Sequence, residues 1–188
     1  MIECLVGSEM CIRDSMTPVR EALRRLIAEG ALEAQGNRRI SVPRLTRANV
    51  DELIFARQAI DPKLVFMATS NITKVNMAAL TAEDEALDRA IVAGNIPGYL
   101  QHNYRFHTML YDIADAPILR SLALRMWLQF GPSLRVVCGR VGTQNLVDEH
   151  KEVLAAMAEG DAERAAAAIR ADVLQGMEQV RRTFDVSD

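Results

Sequence analysis

Apolar side chains recur at helical spacing through most of this chain, and one short stretch breaks that pattern. Residues 18–29 have the spacing of an amphipathic helix, with Thr17 as its N-cap and Pro18 at its first position. Behind this helix, Gly36 and Asn37 form a tight-turn signal between two short strand-like pieces. A helix followed by a small basic hairpin predicts the second half of a winged helix-turn-helix.

From Thr46 onward the sequence carries almost no strand signal. Thr46 and Thr81 can cap helices, and Gly131-Pro132 is expected to kink or interrupt the fourth helix of this part. The expected fold is mainly α, with the remnant of a winged helix-turn-helix followed by an antiparallel bundle of six to seven helices. The apolar stripes predict helices over 46–70, 74–93, 96–115, 117–137, 143–158 and 161–184.

The composition is that of a globular protein, since 49% of the residues are hydrophobic and 25% are charged. No apolar run approaches the roughly 20 residues that span a bilayer, so no membrane partner is expected. Three cysteines without metal-like spacing indicate a reducing, cytoplasmic setting. Residues 16–47 carry seven Arg and three Glu, whereas residues 48–188 carry 14 basic and 19 acidic groups. Only the first segment is therefore suited to a polyanion.

The first residues differ in character from the rest of the chain. Residues 4–15 read CLVGSEMCIRDS, show no helical or strand periodicity, and match the translation of an adapter used in transposase-based sequencing libraries. We interpret residues 1–15 as a non-native, adapter-derived segment, with a divergent natural N-terminus as the alternative, so that native sequence begins at about Met16. The predicted organisation is then a partial winged helix-turn-helix over 16–45 and an all-helical domain over 46–184.

Residues 15–26 read SMTPVREALRRL and are followed by E-G, a pattern that resembles the recognition helix of the GntR family of transcriptional regulators. The family form is S-R-x-P-V-R-E-A-L-x-x-L, followed by E-G and a basic wing. The resemblance implies that Thr17 and Arg20 face operator DNA and that Gly36 and Asn37 form a wing tip reaching toward a minor groove. An arginine near a helix N-terminus suits this role, because the backbone N–H groups and the helix dipole there also attract phosphate.

Two departures from the family pattern affect the expected DNA binding. Met16 stands where the family has a base-contacting arginine. The family also has two helices ahead of the recognition helix, which the sequence lacks, so the resemblance is to an N-terminally truncated member. We expect these 188 residues to bind DNA weakly or not at all, because the helix and hairpin lack their scaffold. A gel shift showing tight, sequence-specific binding would contradict this expectation.

The rest of the chain resembles the FCD-type (FadR-type) effector-binding domain of one GntR branch, over about residues 46–184. Residues 57–61 read RQAID against the family's R-x-x-L-E, and residues 103–107 read NYRFH against D/N-x-x-F-H. His150 matches an E-H that begins the fifth helix of that domain, and GDAERA matches G-D-x-x-x-A. The family has a histidine seven residues beyond this last motif, where the present chain has Asp172.

The resemblance implies a divalent metal site formed by Asn103, His107, His150 and Asp172. Asn103 and His107 are four residues apart and therefore project from one helical face. An amide oxygen, two imidazoles and a carboxylate suit Zn, Ni or Mn, and the aspartate favours a harder ion than histidine would. Two of the three histidines of the chain fall on these positions, the alternative being core histidines without a metal.

In the family, the metal and nearby arginines hold the carboxylate of a small organic acid, and the protein acts as a homodimer. Arg57 is the candidate effector-binding residue, although it could equally pair with Asp61 or Asp112. The resulting interpretation is a DNA-binding regulator that responds to a small carboxylic acid and is not an enzyme. The alternatives are a metal- or ligand-binding module without DNA binding, and a metal-dependent enzyme. Against the enzyme, the sequence has no paired E-x-x-H motifs, no G-x-S-x-G elbow and no phosphate loop.

Overall fold

The computed structural model describes residues 6–35, 39–141 and 149–185, and its contacts divide the chain into two compact units, Met1–Arg44 and Leu45–Asp188. As predicted, the fold is mainly α, and we call the second unit the helical body. The first unit contains α1 (Val6–Ala28), β1 (Glu33–Gln35) and β2 (Arg39–Ser41). The helical body contains α2 (Arg47–Asn71), α3 (Lys74–Val92), α4 (Ile96–Ile113), α5 (Pro117–Val141), α6 (His150–Glu159) and α7 (Ala162–Asp185).

The first helix is longer than the sequence pattern predicts. It begins at Val6, so Thr17 is not its N-cap and Pro18 lies inside it. The prediction was wrong because proline at an internal position removes one backbone hydrogen bond but keeps a φ angle that a helix accepts. Periodicity could not reveal the extension, because residues 4–15 have no apolar stripe.

The predicted hairpin is present. Its strands β1 and β2 pair antiparallel, with Ala34 opposite Ile40. The turn residues Gly36 and Asn37, which were expected to form the wing tip, lie outside the described residues. The sequence signal for the strands was therefore correct, and the turn itself stays a prediction.

Side-chain caps explain where two helices of the body begin. The Thr46 hydroxyl accepts the Asn49 N–H at 3.2 Å and the Asn49 side chain accepts the Thr46 N–H at 3.0 Å, which is a capping box. This confirms the predicted cap at Thr46. The prediction of a cap at Thr81 was wrong, because Thr73 accepts the Asn76 N–H at 3.1 Å and starts α3 earlier, leaving Thr81 inside it.

Two further boundaries differ from expectation. Helix α5 continues through Pro132, so the predicted interruption is wrong, while a kink at this position stays a prediction. Phe130 and Leu134 are buried on either side of the proline, so packing of the helix against the core compensates for the missing backbone bond. The fifth helix of the body, expected to begin at residue 143, begins at His150, and residues 142–148 lie outside the described part of the chain.

Helix α2 packs against α4, α5 and α7, while α3 packs against α4 and α6, and α6 against α7. Fully burying one large apolar side chain stabilises a fold by about 1.5–3 kcal/mol, so this shared core is the main source of stability. In the described ranges, no helix has the length and hydropathy to cross a membrane. The largest apolar side chains of the core include Leu64, Leu87, Phe106, Leu110, Phe130, Met157, Ile169 and Met177.

Candidate metal and effector site

Polar side chains that are almost completely buried face the interior of the helical body. They come from four of its helices, α2, α3, α4 and α6, and burying such groups is unfavourable unless each finds a partner. Their positions therefore require an explanation beyond packing. The set comprises Arg57, Asp61, Asp84, Asn103, His107 and His150, besides the buried hydroxyl residue Thr69.

Helix α4 contributes Asn103 and His107 on one face, as the spacing of four predicts. His107 is 1% exposed, and its ring contacts Trp127 edge-on with the ring centroids 5.3 Å apart. Its Nε2 lies 3.1 Å from Oδ2 of Asp172, while its Nδ1 is buried without a hydrogen-bond partner among the described residues. Burial lowers the pKa of His107 against the opposing pull of Asp172, which favours the neutral, ligating imidazole.

His150 enters the site as the first residue of α6 and is completely buried. Its ring stacks on Phe106, with centroids 3.9 Å apart and an interplanar angle of 14°. Nε2 of His150 lies 3.7 Å from Oδ1 of Asp172, and Nδ1 lies 3.5 Å from Oδ1 of Asp84. The stacking fixes the plane of the imidazole, and its two nitrogens face two carboxylates.

Asp172 is contributed by α7, and its side chain is 11% exposed. It faces both histidines and also accepts the Glu149 backbone N–H at 3.4 Å, next to the positive end of α6. Burial acts to raise the pKa of Asp172, but the two imidazoles and the Arg57 guanidinium outweigh it and hold the pKa well below its usual range. The Asp172 carboxylate is therefore ionised under conditions in which the imidazoles are neutral.

The three groups form a candidate metal site. Within the described residues, the ligand atoms of His107, His150 and Asp172 all lie within 4.8 Å of one another. Metal–ligand distances of about 2.0–2.2 Å would bring such atoms to about 3–4 Å from one another, so the widest of these separations would have to shorten by at most about 1–2 Å. The largely buried carboxylate of Asp172, which faces both imidazoles, favours a cation here. Asn103 lines the same cavity as His107 and Asp172.

Arg57 projects from α2 into this cavity and is paired with Asp61, not with Asp112. Its Nε and Nη2 donate to Oδ2 of Asp61 at 3.0 and 2.6 Å. Its guanidinium carbon lies 4.9 Å from the Trp127 ring and 4.4 Å from the Phe130 ring, within cation–π range. Burial acts to lower the pKa of Arg57, but Asp61 outweighs it, so the pKa is raised and the group stays charged.

The cavity between these groups is small. Its volume is about 30 Å³, close to the share of one molecule in liquid water. Arg57, Asn103, His107 and Asp172 line one part, and apolar and amide side chains line the rest. A carboxylate group could enter only together with some movement of the lining side chains, which include Tyr99, Trp127, Phe130, Leu134, Val173, Gln175 and Gln179.

Two side chains that contact residues of the site were not found from the sequence. Tyr111 accepts a hydrogen bond from the indole nitrogen of Trp127 at 3.1 Å, which fixes the aromatic wall. Asp84 of α3 is 4% exposed, and salt-bridge contacts to His150 and Lys151 hold its pKa below the usual value although burial acts to raise it. A signal for Asp84 did exist, because its charge interrupts the apolar stripe formed by Leu80 and Leu87.

The candidate DNA-contacting residues belong to the first unit. Thr17 and Arg20 are exposed on α1. Arg24 lies 3.8 Å from Glu21, whereas Arg20 has no ion pair with any residue that the structure describes. Arg20 is therefore available to a polyanion, and its proposed partner stays a prediction.

Comparison with known proteins places these features in a family. Residues 52–175, more than half of the chain, match the FCD domain. The HTH-type transcriptional regulator McbR of Escherichia coli K12 is 28% identical over 152 residues, which is 79% of this chain and 69% of that protein. A second HTH-type transcriptional regulator, YdhC of Bacillus subtilis 168, is 28% identical over 109 residues, which is 57% of this chain and 49% of that protein.

Solved structures extend the likeness to three dimensions. The structure of Escherichia coli McbR/YncC matches with a TM-score of 0.84 and 25% identity, covering 90% of this chain and 86% of that one. A GntR-type regulator from Rhodococcus sp. RHA1 matches with a TM-score of 0.71 and 17% identity, covering 92% of this chain and 84% of that one. The second likeness concerns the fold alone.

Proposed function

The chain belongs to the FCD-domain family of GntR-type transcriptional regulators, and from that membership we propose that its helical body binds a small carboxylic acid beside a divalent metal ion. The observation that carries this proposal is the convergence of His107, His150 and Asp172 from three helices to within 4.8 Å. Arg57 lines the same cavity as His107 and Asp172. When bound, the metal would supply a Lewis acid for a carboxylate oxygen.

Different side chains would bind the metal ion and the organic acid. His107, His150 and Asp172 hold the cation, with Asn103 as a fourth ligand from the same helical face as His107. Arg57 binds the acid through its guanidinium, which its pairing with Asp61 holds in place. Arginine recognises a carboxylate by charge and by parallel hydrogen bonds, which suits an organic acid better than a neutral ligand.

The metal site is tested by thermal unfolding of chelator-treated protein with added Zn²⁺, Ni²⁺ or Mn²⁺. Metal present at 100 times its dissociation constant should stabilise the folded body by about 2.7 kcal/mol, or roughly 5–10 °C in Tm. His107→Ala should abolish this increment. His102→Ala is the matched control, because His102 pairs with Glu83 at 2.7 Å and is the histidine that was not assigned to the metal. Equal losses in both variants would refute the proposed ligands.

The effector is tested by adding a panel of small carboxylic acids to the metal-loaded protein. An acid that binds should raise the Tm further in the parent protein, and Arg57→Gln should reduce that second increment while leaving the metal increment in place. An increment that requires neither the metal nor Arg57 would argue against this effector site. Turnover of any acid in the panel would instead favour the metal-dependent enzyme.

DNA contact is proposed for the first unit, through Thr17 and Arg20 on the exposed face of α1 and Gly36 and Asn37 at the wing tip, and we expect these 188 residues to bind DNA weakly or not at all. Fluorescence anisotropy with promoter fragments at several salt concentrations tests it. Arg20→Ala should weaken binding and lower the salt dependence by about one counterion. If no fragment binds, the activity of this chain is that of a metal- and ligand-binding module, for which the separate compact helical body provides the structural basis.

A further inference from the structure

We propose that Asp84 is the positioning residue of the metal site, because it holds the His150 imidazole with Nε2 directed at the cation. This inference rests on the proposed metal site and adds to it a fourth helix, α3, that supplies no ligand. A metal-ligating histidine is commonly oriented by a carboxylate at its other ring nitrogen, which also raises the basicity of the ligating nitrogen.

The burial of Asp84 calls for a partner. Asp84 is 4% exposed and sits between Leu80 and Leu87 on the apolar face of α3. Taking a carboxylate out of water costs several kcal/mol unless a charge or a hydrogen bond compensates it. A carboxylate at this position therefore has to be explained by what it faces.

Two groups face the carboxylate of Asp84, and one of them is better suited to explain its burial. Lys151 lies 3.7 Å from Oδ2 of Asp84, but it is 64% exposed and lies closer to Asp88, at 2.9 Å. His150 is completely buried, and its Nδ1 lies 3.5 Å from Oδ1 of Asp84. Lys151 already pairs with the exposed carboxylate of Asp88, so we take His150 to be the main partner of Asp84.

The orientation of the His150 ring has two determinants. Stacking on Phe106 fixes the plane of the His150 ring. A rotation of the ring by 180° about its Cβ–Cγ bond would keep that plane but exchange the nitrogen and carbon positions. Asp84 distinguishes these two arrangements, because a carboxylate attracts the Nδ1–H and has no comparable attraction for a carbon. With Nδ1 facing Asp84, Nε2 faces Asp172 at 3.7 Å, which is the side of the metal site.

The test compares Asp84→Ala and Asp84→Asn with Asp88→Asn, by calorimetric titration of chelator-treated protein with Zn²⁺. Asp84→Ala should weaken Zn²⁺ binding by about 10–100-fold, and the near-isosteric Asp84→Asn by a smaller factor. Asp88→Asn should stay within about twofold of the parent, because Asp88 shares Lys151 with Asp84 but its side chain is 45% exposed, so solvent screens its charge. If Asp84→Ala does not fold, Asp84→Asn carries the comparison.

A merely structural role would change the urea stability of the metal-free protein and leave the Zn²⁺ affinity of the folded variants unaltered. That result overturns the inference while the proposed metal site stands. Nitrogen-15 NMR of the Zn²⁺-loaded parent adds a direct readout, with Nε2 of His150 bound to zinc and Nδ1 protonated. Coordination through Nδ1 would overturn the inference too. If the parent takes up no Zn²⁺, Ni²⁺ or Mn²⁺, the proposed function fails and this inference fails with it.

Discussion

Replacing Asp61 by alanine is expected to destabilise the helical body by about 3–5 kcal/mol, since it would leave a buried guanidinium without its counter-charge. The side chains of Arg57 and Asp61 are 5% and 0% exposed, and both Nε and Nη2 of Arg57 donate to one carboxylate oxygen. The flanking rings of Trp127 and Phe130 replace water around the guanidinium but cannot replace the carboxylate.

Asp112→Ala is the matched control for this substitution. It breaks an arginine–aspartate pair of the same chemistry with Arg120, but these side chains are 56% and 43% exposed. Exposed pairs contribute about 1 kcal/mol or less, because water and salt screen them. The contrast between the two alanine variants therefore isolates the effect of burial.

The assay is urea unfolding of the chelator-treated protein at neutral pH, followed by the fluorescence of Trp127. Trp127 is the single tryptophan of the chain and lies 4.9 Å from the Arg57 guanidinium, so its emission reports on this region. The expected loss corresponds to a fall in Tm on the order of 10 °C. If Asp61→Ala destabilises the protein no more than Asp112→Ala, the guanidinium is compensated in some other way and the reasoning about its burial is wrong.

Three further substitutions and one chemical modification test other parts of the helical body. Gly160 ends α6 with φ 75°, so Gly160→Ala should lower the free energy of unfolding by about 1 kcal/mol. Gly139 lies inside α5 with open space around it, so Gly139→Ala should raise the free energy of unfolding by about 0.5–1 kcal/mol. If urea unfolding shows changes of the same sign for both variants, the backbone argument is contradicted. Thr46→Ala removes the capping box and should cost about 1 kcal/mol in the same assay, and an unchanged midpoint would show that the cap contributes nothing. Burial raises the pKa of the Cys138 thiol to about 11. Iodoacetamide at pH 8 should therefore leave Cys138 unmodified in the native protein and alkylate it in urea, as mass spectrometry of its peptide would detect. Equal alkylation rates in both conditions would refute the burial of this thiol.

Helix positions could be predicted because apolar periodicity is a local property of the sequence. Two of the predictions that failed have local explanations as well. Thr81 has the chemistry of a cap, but Thr73 lies nearer the start of the apolar stripe and makes the bond. Pro132 has the chemistry of a helix breaker, but burial of the residues around it compensates for one lost hydrogen bond.

The contacts within the site depend on the packing of helices that are far apart in sequence. Arg57 had two candidate partners: Asp61 lies one turn further along the same helix and is a local partner, whereas only the packing shows that Asp112 pairs with Arg120 instead. The approach of Asp84 to His150 joins residues on two helices that periodicity alone cannot orient relative to each other. The motif spacing could nominate ligands, but the partner of each ligand could not be predicted from it.

The carboxylate at position 172 has a consequence for how this site can evolve. Where the chain has Asp172, the family pattern has histidine, and the codons for aspartate and histidine differ only in their first base. One point mutation therefore exchanges an oxygen donor for a nitrogen donor beside His107 and His150, while Phe106 and Asp84 keep their contacts with His150. If the proposed metal site is correct, a single nucleotide can alter its metal preference without rebuilding the fold.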